Sequence, residues 1–341
     1  MEVSPPLIAA PGPPIPAGGE AEWFAGSRGV RLRAALFPAR GVARGSVVLS
    51  GGRTEPIEKY FEVIGELQAR GLAVLVHDWR GQGLSHRELQ DRSKGHATGY
   101  ETFLGDYRAL LDAFEARLPK PWIAVGHSMG GCLTLLALAR GASQRFAGAV
   151  LSAPMLGLHL PGPAWIVGLL SKLFNALGLG ERLTPTGGRQ PEGFEGNRLT
   201  HDPVRFQRHK DQISAHPDLA LGPPTWAWLD FALKAQAFLA KPANLKPVRL
   251  PVTICSAGRD QIVVNDAQEV AARALPQGRL VRIDGAFHEI LMETDDKRAI
   301  FWSAFDAVAD EVAPFRTAPV RLDQSAPPRK SRARKLTPPK G

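Results

Sequence analysis

Short apolar runs alternate with stretches of helical periodicity in two parts of this chain, and that alternation constrains the fold more than any other feature. The first part holds a weakly alternating stretch at Val30 to Phe37 that can be an early strand, and apolar runs at Gly45 to Ser50, Leu72 to Val76, Pro121 to Val125 and Phe146 to Leu151. Between them, Ile57, Phe61, Ile64 and Leu67 recur at helical spacing, with Gly71 placed as the C-terminal cap. Tyr100 to Leu118 carries Phe103, Leu104, Tyr107, Leu110, Leu111 and Phe114 on one helical face, and Met129 to Arg140 reads as another helix. From Pro154 to about Asn244 the alternation stops. That segment holds glycine, proline and amphipathic helical stretches, with no convincing strand. Alternation resumes with a strand at Val252 to Ser256, a helix from Val264 to Leu275, a strand at Arg279 to Ile283 and a helix from Asp295 to Val312. Strands and helices in this order predict an α/β fold: a mostly parallel central sheet, helices on both faces and a helical insertion. The expected organisation is a disordered Pro/Gly-rich leader over 1–19, a core over 20–153 and 245–313, a helical cap over 154–244 and a disordered basic tail over 314–341.

The 341 residues suffice for one large domain with an insertion. The net charge of +9 invites a nucleic-acid reading, so its location matters. Residues 314–341 hold eight basic side chains against Asp323, which places +7 in the tail and leaves the body nearly neutral. No nucleic-acid partner is therefore expected; the tail reads first as a solvated terminus, with contact to anionic lipid head groups or nucleic acid as the alternatives. No run of about 18 apolar residues predicts a spanning helix. The proline-broken N-terminus, with no Lys or Arg before Arg28, does not read as a signal peptide. Cys132 and Cys255 both lie within apolar runs and read as small core residues, with no metal site or disulfide framework. A cytoplasmic setting, peripheral to the membrane if the tail or cap binds lipid, is the expectation.

Gly126-His127-Ser128-Met129-Gly130 follows the apolar run ending at Val125 and opens the helix starting at Met129. Gly-x-Ser-x-Gly in that context places a serine on a tight strand-to-helix turn, where a side chain at either glycine would crowd its neighbours. The turn presents the Ser128 hydroxyl and points free helical N–H groups at a developing oxyanion. Such a nucleophile needs an imidazole base and an acid to fix its tautomer. His288, just past the last strand, is the expected base, with His96 the alternative. Asp260 follows the strand at Val252 to Cys255 and stands in the order nucleophile, acid, histidine; Asp284 competes, and Asp266 reads as a helix opener. The main-chain N–H groups of Arg53, in the turn Gly51-Gly52-Arg53-Thr54, and of Met129 are the expected oxyanion donors.

These segments, together with Tyr60, Asp78-Trp79-Arg80-Gly81-Gln82-Gly83-Leu84-Ser85, Gly258-Arg259-Asp260 and Gly285-Ala286-Phe287-His288-Glu289, resemble the lysophospholipase and monoacylglycerol-lipase branch of the α/β hydrolases, sometimes grouped with serine aminopeptidases. The resemblance spans about residues 20 to 313. It implies hydrolysis of lipid-like carboxylic esters, lysophospholipid or monoacylglycerol, with no cofactor or metal. It also implies Asp78 and Arg80 as a structural turn beside the site. Where many relatives carry His-Gly, this chain has Gly51-Gly52, which keeps the backbone donors and removes an imidazole. Acyl transfer to another acceptor, or aminopeptidase action, would use the same triad; a non-catalytic binding module would be expected to lack part of it. In the cap, Trp165, Ile166, Leu169, Leu170, Leu173, Phe174 and Leu177 form an apolar stripe that is either cap core, acyl-chain channel or membrane-surface patch. Trp226, Trp228, Phe231 and Phe238 pose the same choice.

Overall fold

The structure, a computed structural model, describes residues 4–9, 11–185 and 193–315. Each of the predicted apolar runs is a strand of one sheet, and one strand precedes them. In chain order the elements are β1 (Glu20–Ala25), β2 (Arg31–Phe37), β3 (Gly45–Ser50), α1 (Phe61–Ala69), β4 (Leu72–His77), α2 (Tyr100–Phe114), β5 (Trp122–His127), α3 (Ser128–Ala139) and β6 (Gly148–Ser152). The insertion follows with α4 (Ala164–Ala176), α5 (Pro203–Ala215), α6 (Trp226–Leu239) and α7 (Pro242–Leu245). The chain then closes through β7 (Val252–Ala257), α8 (Asn265–Ala274), β8 (Gly278–Ile283) and α9 (Asp295–Val312).

The sheet runs β1-β2-β4-β3-β5-β6-β7-β8. β1 and β2 are antiparallel, as are β2 and β4; from β4 to β8 every neighbouring pair is parallel. Every residue of β3, β4, β5, β6 and β7 is buried, which is why these strands read as continuous apolar runs. β1 escaped the pattern because Glu-Ala-Glu-Trp-Phe-Ala is an edge strand, half exposed and built partly from residue types that strands disfavour. The connections from β3 to β4 and from β5 to β6 pass through α1 and α3, and all their strands end at the same sheet edge.

The N-terminal segment departs from the loose leader expected. Pro5 and Pro16 are buried. The Pro6 carbonyl accepts from Arg33 Nη1 at 3.0 Å, and the Ile8 N–H donates to Glu58 at 3.2 Å. The physical reason is Arg33, fully buried in β2 with Glu58 at 2.8 Å and Asp78 at 2.7 Å. A buried guanidinium must fill its donors, and the leader backbone supplies one acceptor. The basic tail lies almost wholly in residues 316–341, outside the described residues.

In the insertion, Trp226, Trp228 and Phe231 are buried, and Phe174 stacks on Trp226 at 4.5 Å to join α4 to α6. The rest of the α4 stripe is not cap core: Trp165 is 72% exposed, Leu169 60% and Leu177 63%. Among the described residues no helix is long and apolar enough to cross a membrane.

Candidate active site

β5 ends at His127 and α3 begins at Ser128, so the serine sits on the turn that the motif predicts. Its φ of 49° lies in the left-handed region, a strained conformation for a residue with a Cβ. The flanking glycines are dictated by backbone approach. A Cβ at Gly130 would stand 2.3 Å from the carbonyl oxygens of Ser50 and Gly51, and one at Gly126 would stand 2.8 Å from the Gly131 Cα. The Ser128 carbonyl accepts from Met155 N at 2.9 Å, pinning the turn to the chain leaving β6.

His288 comes to this serine from the loop after β8, and Asp260 from the loop after β7. Ser128 Oγ lies 2.9 Å from His288 Nε2, and His288 Nδ1 lies 2.7 Å from Asp260 Oδ2. The other carboxylate oxygen of Asp260 accepts from the N–H groups of Ile262 at 2.8 Å and Val263 at 3.0 Å, which aims the acid. Burial favours neutral Asp260, but the His288 charge, its hydrogen bond and those two N–H groups outweigh burial and hold the carboxyl below its ordinary range. Burial likewise opposes charge on His288. The Asp260 carboxylate and hydrogen bond, with Glu289 and Glu55 behind them, raise the imidazole above its ordinary value. The alternatives lie elsewhere: His96 hydrogen-bonds Thr225 at 3.0 Å, and Asp284 faces Arg282 on the surface at 3.4 Å. Asp266 is in the first turn of α8.

The turn after β3 is braced on both sides of Arg53. Trp79 Nε1 donates to the Gly51 carbonyl at 2.9 Å. Gln82 donates to the Gly52 carbonyl at 2.9 Å and accepts from Thr54 N at 3.1 Å. Glu55 accepts from the Gly52 N–H and from the Tyr60 hydroxyl. Among the described residues no acceptor takes the N–H of Arg53 or of Met129, so both main-chain donors predicted for an oxyanion remain available.

A buried charge relay lies beneath this turn. Lys59 Nζ joins Glu55 at 2.8 Å to Glu289 at 2.6 Å, and Glu289 adjoins His288 in the chain. His127 completes it, 3.6 Å from Glu55 and with its ring 4.9 Å from that of His288. Burial lowers His127 to about 4, keeping it neutral. Burial works against Lys59 too, yet Glu289 and Glu55 hold its pKa above the ordinary value. Glu55 is held well below the carboxylate range despite burial, by the Lys59 charge and by hydrogen bonds from Lys59 and Tyr60. Sequence reasoning missed the relay as a unit. Glu55 and Lys59 stand four residues apart, which in sequence reads as an exposed helical pair. Asp78 and Arg80 are structural, as expected: Asp78 accepts from Arg33 and from the N–H groups of Ile57 at 3.0 Å and Leu84 at 2.9 Å, while Arg80 pairs with Asp106 at 2.7 Å.

A parallel sheet with a strained serine elbow, a histidine and an aspartate after successive late strands, and a helical insertion above defines a serine ester hydrolase of the α/β-hydrolase class. The chain belongs to the family described as serine aminopeptidase, S33, which matches residues 41–295. Among curated proteins it is similar to lysophospholipase L2 of Escherichia coli, 30% identical over 309 residues that cover 85% of this chain and 86% of that protein. It is also similar to the probable lysophospholipase L2 of Haemophilus influenzae, 29% identical over 280 residues, 81% of this chain and 88% of that one. A solved structure of a soluble variant of monoglyceride lipase from Saccharomyces cerevisiae, 20% identical, superposes with a TM-score of 0.68 over 85% of this chain and 94% of that chain, a likeness of fold.

Proposed function

We propose that this protein hydrolyses the carboxylic ester of a lysophospholipid or monoacylglycerol through an acyl-enzyme on Ser128. The observation that carries the reading is the continuous line Ser128 Oγ, His288, Asp260, with separations of 2.9 and 2.7 Å. Ser128 Oγ attacks the ester carbonyl carbon while His288 Nε2 takes the hydroxyl proton. The oxyanion formed is held by the N–H groups of Arg53 and Met129. Collapse of the tetrahedral intermediate breaks the bond to the alcohol oxygen, which leaves with the proton from Nε2. Water then gives a proton to His288 and attacks the acyl carbon, and the fatty acid departs as the proton returns to Ser128. Asp260 orients the imidazole and stabilises its charged form. The lipid substrate class is supported by the two lysophospholipase relatives and by the exposed apolar stripe of α4, which suits contact with a lipid phase.

The test is hydrolysis of a short-chain p-nitrophenyl ester and of a lysophosphatidylcholine by the unaltered protein and by Ser128→Ala. The variant is expected to lose about 10³-fold or more in kcat, together with fluorophosphonate labelling. Equal rates in the two proteins would remove Ser128 from the chemistry.

A further inference from the structure

Arg53 contributes more to the site than a main-chain donor. Its Nη2 donates to the Gly222 carbonyl in the insertion, and its Cζ stands 5.4 Å from the Trp228 ring centroid. Gly95 closes the other side. A Cβ there would lie 2.7 Å from Nη2 and 3.3 Å from Nε, so only glycine lets the guanidinium occupy this position. Nε is buried and has no hydrogen-bond partner. Among the described residues no carboxylate pairs with this cation, and burial alone lowers it to about 10. Arg87 shares part of this pattern, with Nε unpartnered, no carboxylate and a pKa lowered to about 10. Arg33 and Arg298 hold carboxylates, and Arg87 donates to the carbonyls of Gly81, Gly83 and Ala220. An uncompensated cation is costly to bury, and its fork of N–H donors suits a phosphate bidentately.

We propose that the Arg53 guanidinium recognises the phosphodiester of a lysophospholipid head group, on the same residue whose main-chain N–H faces the reacting carbonyl. The inference rests on the reading of Ser128 as an ester-hydrolysing nucleophile. Covalent constitution supports it. The same number of bonds separates the Arg53 amide nitrogen from Cζ as separates the ester carbonyl carbon from phosphorus in a 1-acyl lysophospholipid. One residue can thus span both ends of the polar part of the substrate. The phosphate oxygens supply acceptors for Nε and neutralise the charge that the fold leaves unpaired. A monoacylglycerol offers Arg53 nothing of the kind.

The experiment compares kcat/KM for a lysophosphatidylcholine and a monoacylglycerol of the same acyl chain in the unaltered enzyme, Arg53→Met and Arg53→Lys. The readout is the ratio of the two substrates within each protein. A charge-assisted, bidentate contact predicts a ratio about 10- to 100-fold lower in Arg53→Met, with Arg53→Lys between. A ratio that Arg53→Met leaves unchanged overturns the proposal, since an arginine that merely ties the insertion to the core would affect both substrates alike. A second measurement needs no variant: sn-glycero-3-phosphocholine, glycerol and inorganic phosphate, at matched ionic strength, as inhibitors of p-nitrophenyl butyrate hydrolysis. Inhibition by glycerophosphocholine well below the concentration at which glycerol acts supports the site. Equal potency of the two overturns it, and phosphate as potent as glycerophosphocholine makes it a free-anion site and overturns the head-group assignment. If glycerophosphocholine inhibits while no lipid ester is hydrolysed, the lipid-hydrolase reading fails and the Arg53 site stands.

Discussion

His288 joins two loops that the sequence separates, and in the proposed mechanism its protonation sets the usable pH range. The imidazole must be neutral to accept the Ser128 proton. Its pKa is raised above the ordinary 6.5, against burial, by the Asp260 carboxylate and hydrogen bond. The acid limb of kcat/KM is therefore expected to have its midpoint above pH 6.5, with activity increasing as pH rises through it. In Asp260→Asn the charge that stabilises the imidazolium is gone, so the limb shifts to lower pH while the rate drops by about 10³- to 10⁴-fold. A pH–rate series on a p-nitrophenyl ester measures both; a limb that stays in place in Asp260→Asn would mean that another group titrates there. At this scale the proposed triad was legible in sequence because Gly-x-Ser-x-Gly and the order serine, aspartate, histidine can be read along the chain. The Arg53 side chain was not: its environment comes from Gly95, Gly222 and Trp228, which are remote in the chain.

Elements differ in how far their sequence pattern decides their packing. β3 to β7 were legible because they are buried on both faces, so nearly every residue is apolar. α4 was not, although its apolar stripe is as regular. Helical periodicity gives a helix an apolar face without saying what covers it, and here Trp165, Leu169 and Leu177 face outward while Phe174 meets α6. Replacing Trp165 and Leu169 together by glutamine is accordingly expected to change unfolding free energy by no more than about 0.5 kcal/mol per site, since neither is packed. The contrast is Gly130→Ala in α3, whose methyl would meet the Ser50 and Gly51 carbonyl oxygens at 2.3 Å. That backbone contact predicts a loss of about 1–3 kcal/mol or more, with the elbow displaced and activity reduced. Urea unfolding of the three proteins separates the cases: a large loss in the α4 variant would place its stripe in a packed interface.

For the whole molecule, buried histidines couple stability to pH. His77, 3.1 Å from Ser50 Oγ, is lowered by burial to about 3, and His127 to about 4, both from 6.5. Each has a depressed folded pKa and binds its proton more readily when unfolded. Their contribution is intact above pH 6.5 and is lost as pH falls from there towards the folded values, at about 1.4 kcal/mol per pH unit for each histidine. His288 carries the opposite sign: its raised pKa adds stability below 6.5 that disappears as pH rises through the folded value. The His288 contribution is constant below 6.5, and His209 is lowered by burial as well, so the thermal midpoint should fall measurably between pH 6.5 and 5, and His77→Gln should flatten part of that fall. A midpoint flat across this interval would contradict the buried, neutral state of both histidines.

The amino-acid sequence by itself determined the layered α/β architecture and singled out Ser128, His288 and Asp260, which the fold brings within hydrogen-bond distance of one another. Each rests on a signal carried within a short window: an apolar run, a helical period, a glycine spacing or an order along the chain. Tertiary structure alone decided that the leader seats on Arg33, that the α4 stripe faces outward, that Glu55, Lys59 and Glu289 form one buried relay, and that the part-buried Arg53 pairs with no carboxylate among the described residues. These depend on which remote groups share a low-dielectric environment, and the energy of a charge there is set by its neighbours in space, not by its neighbours in sequence.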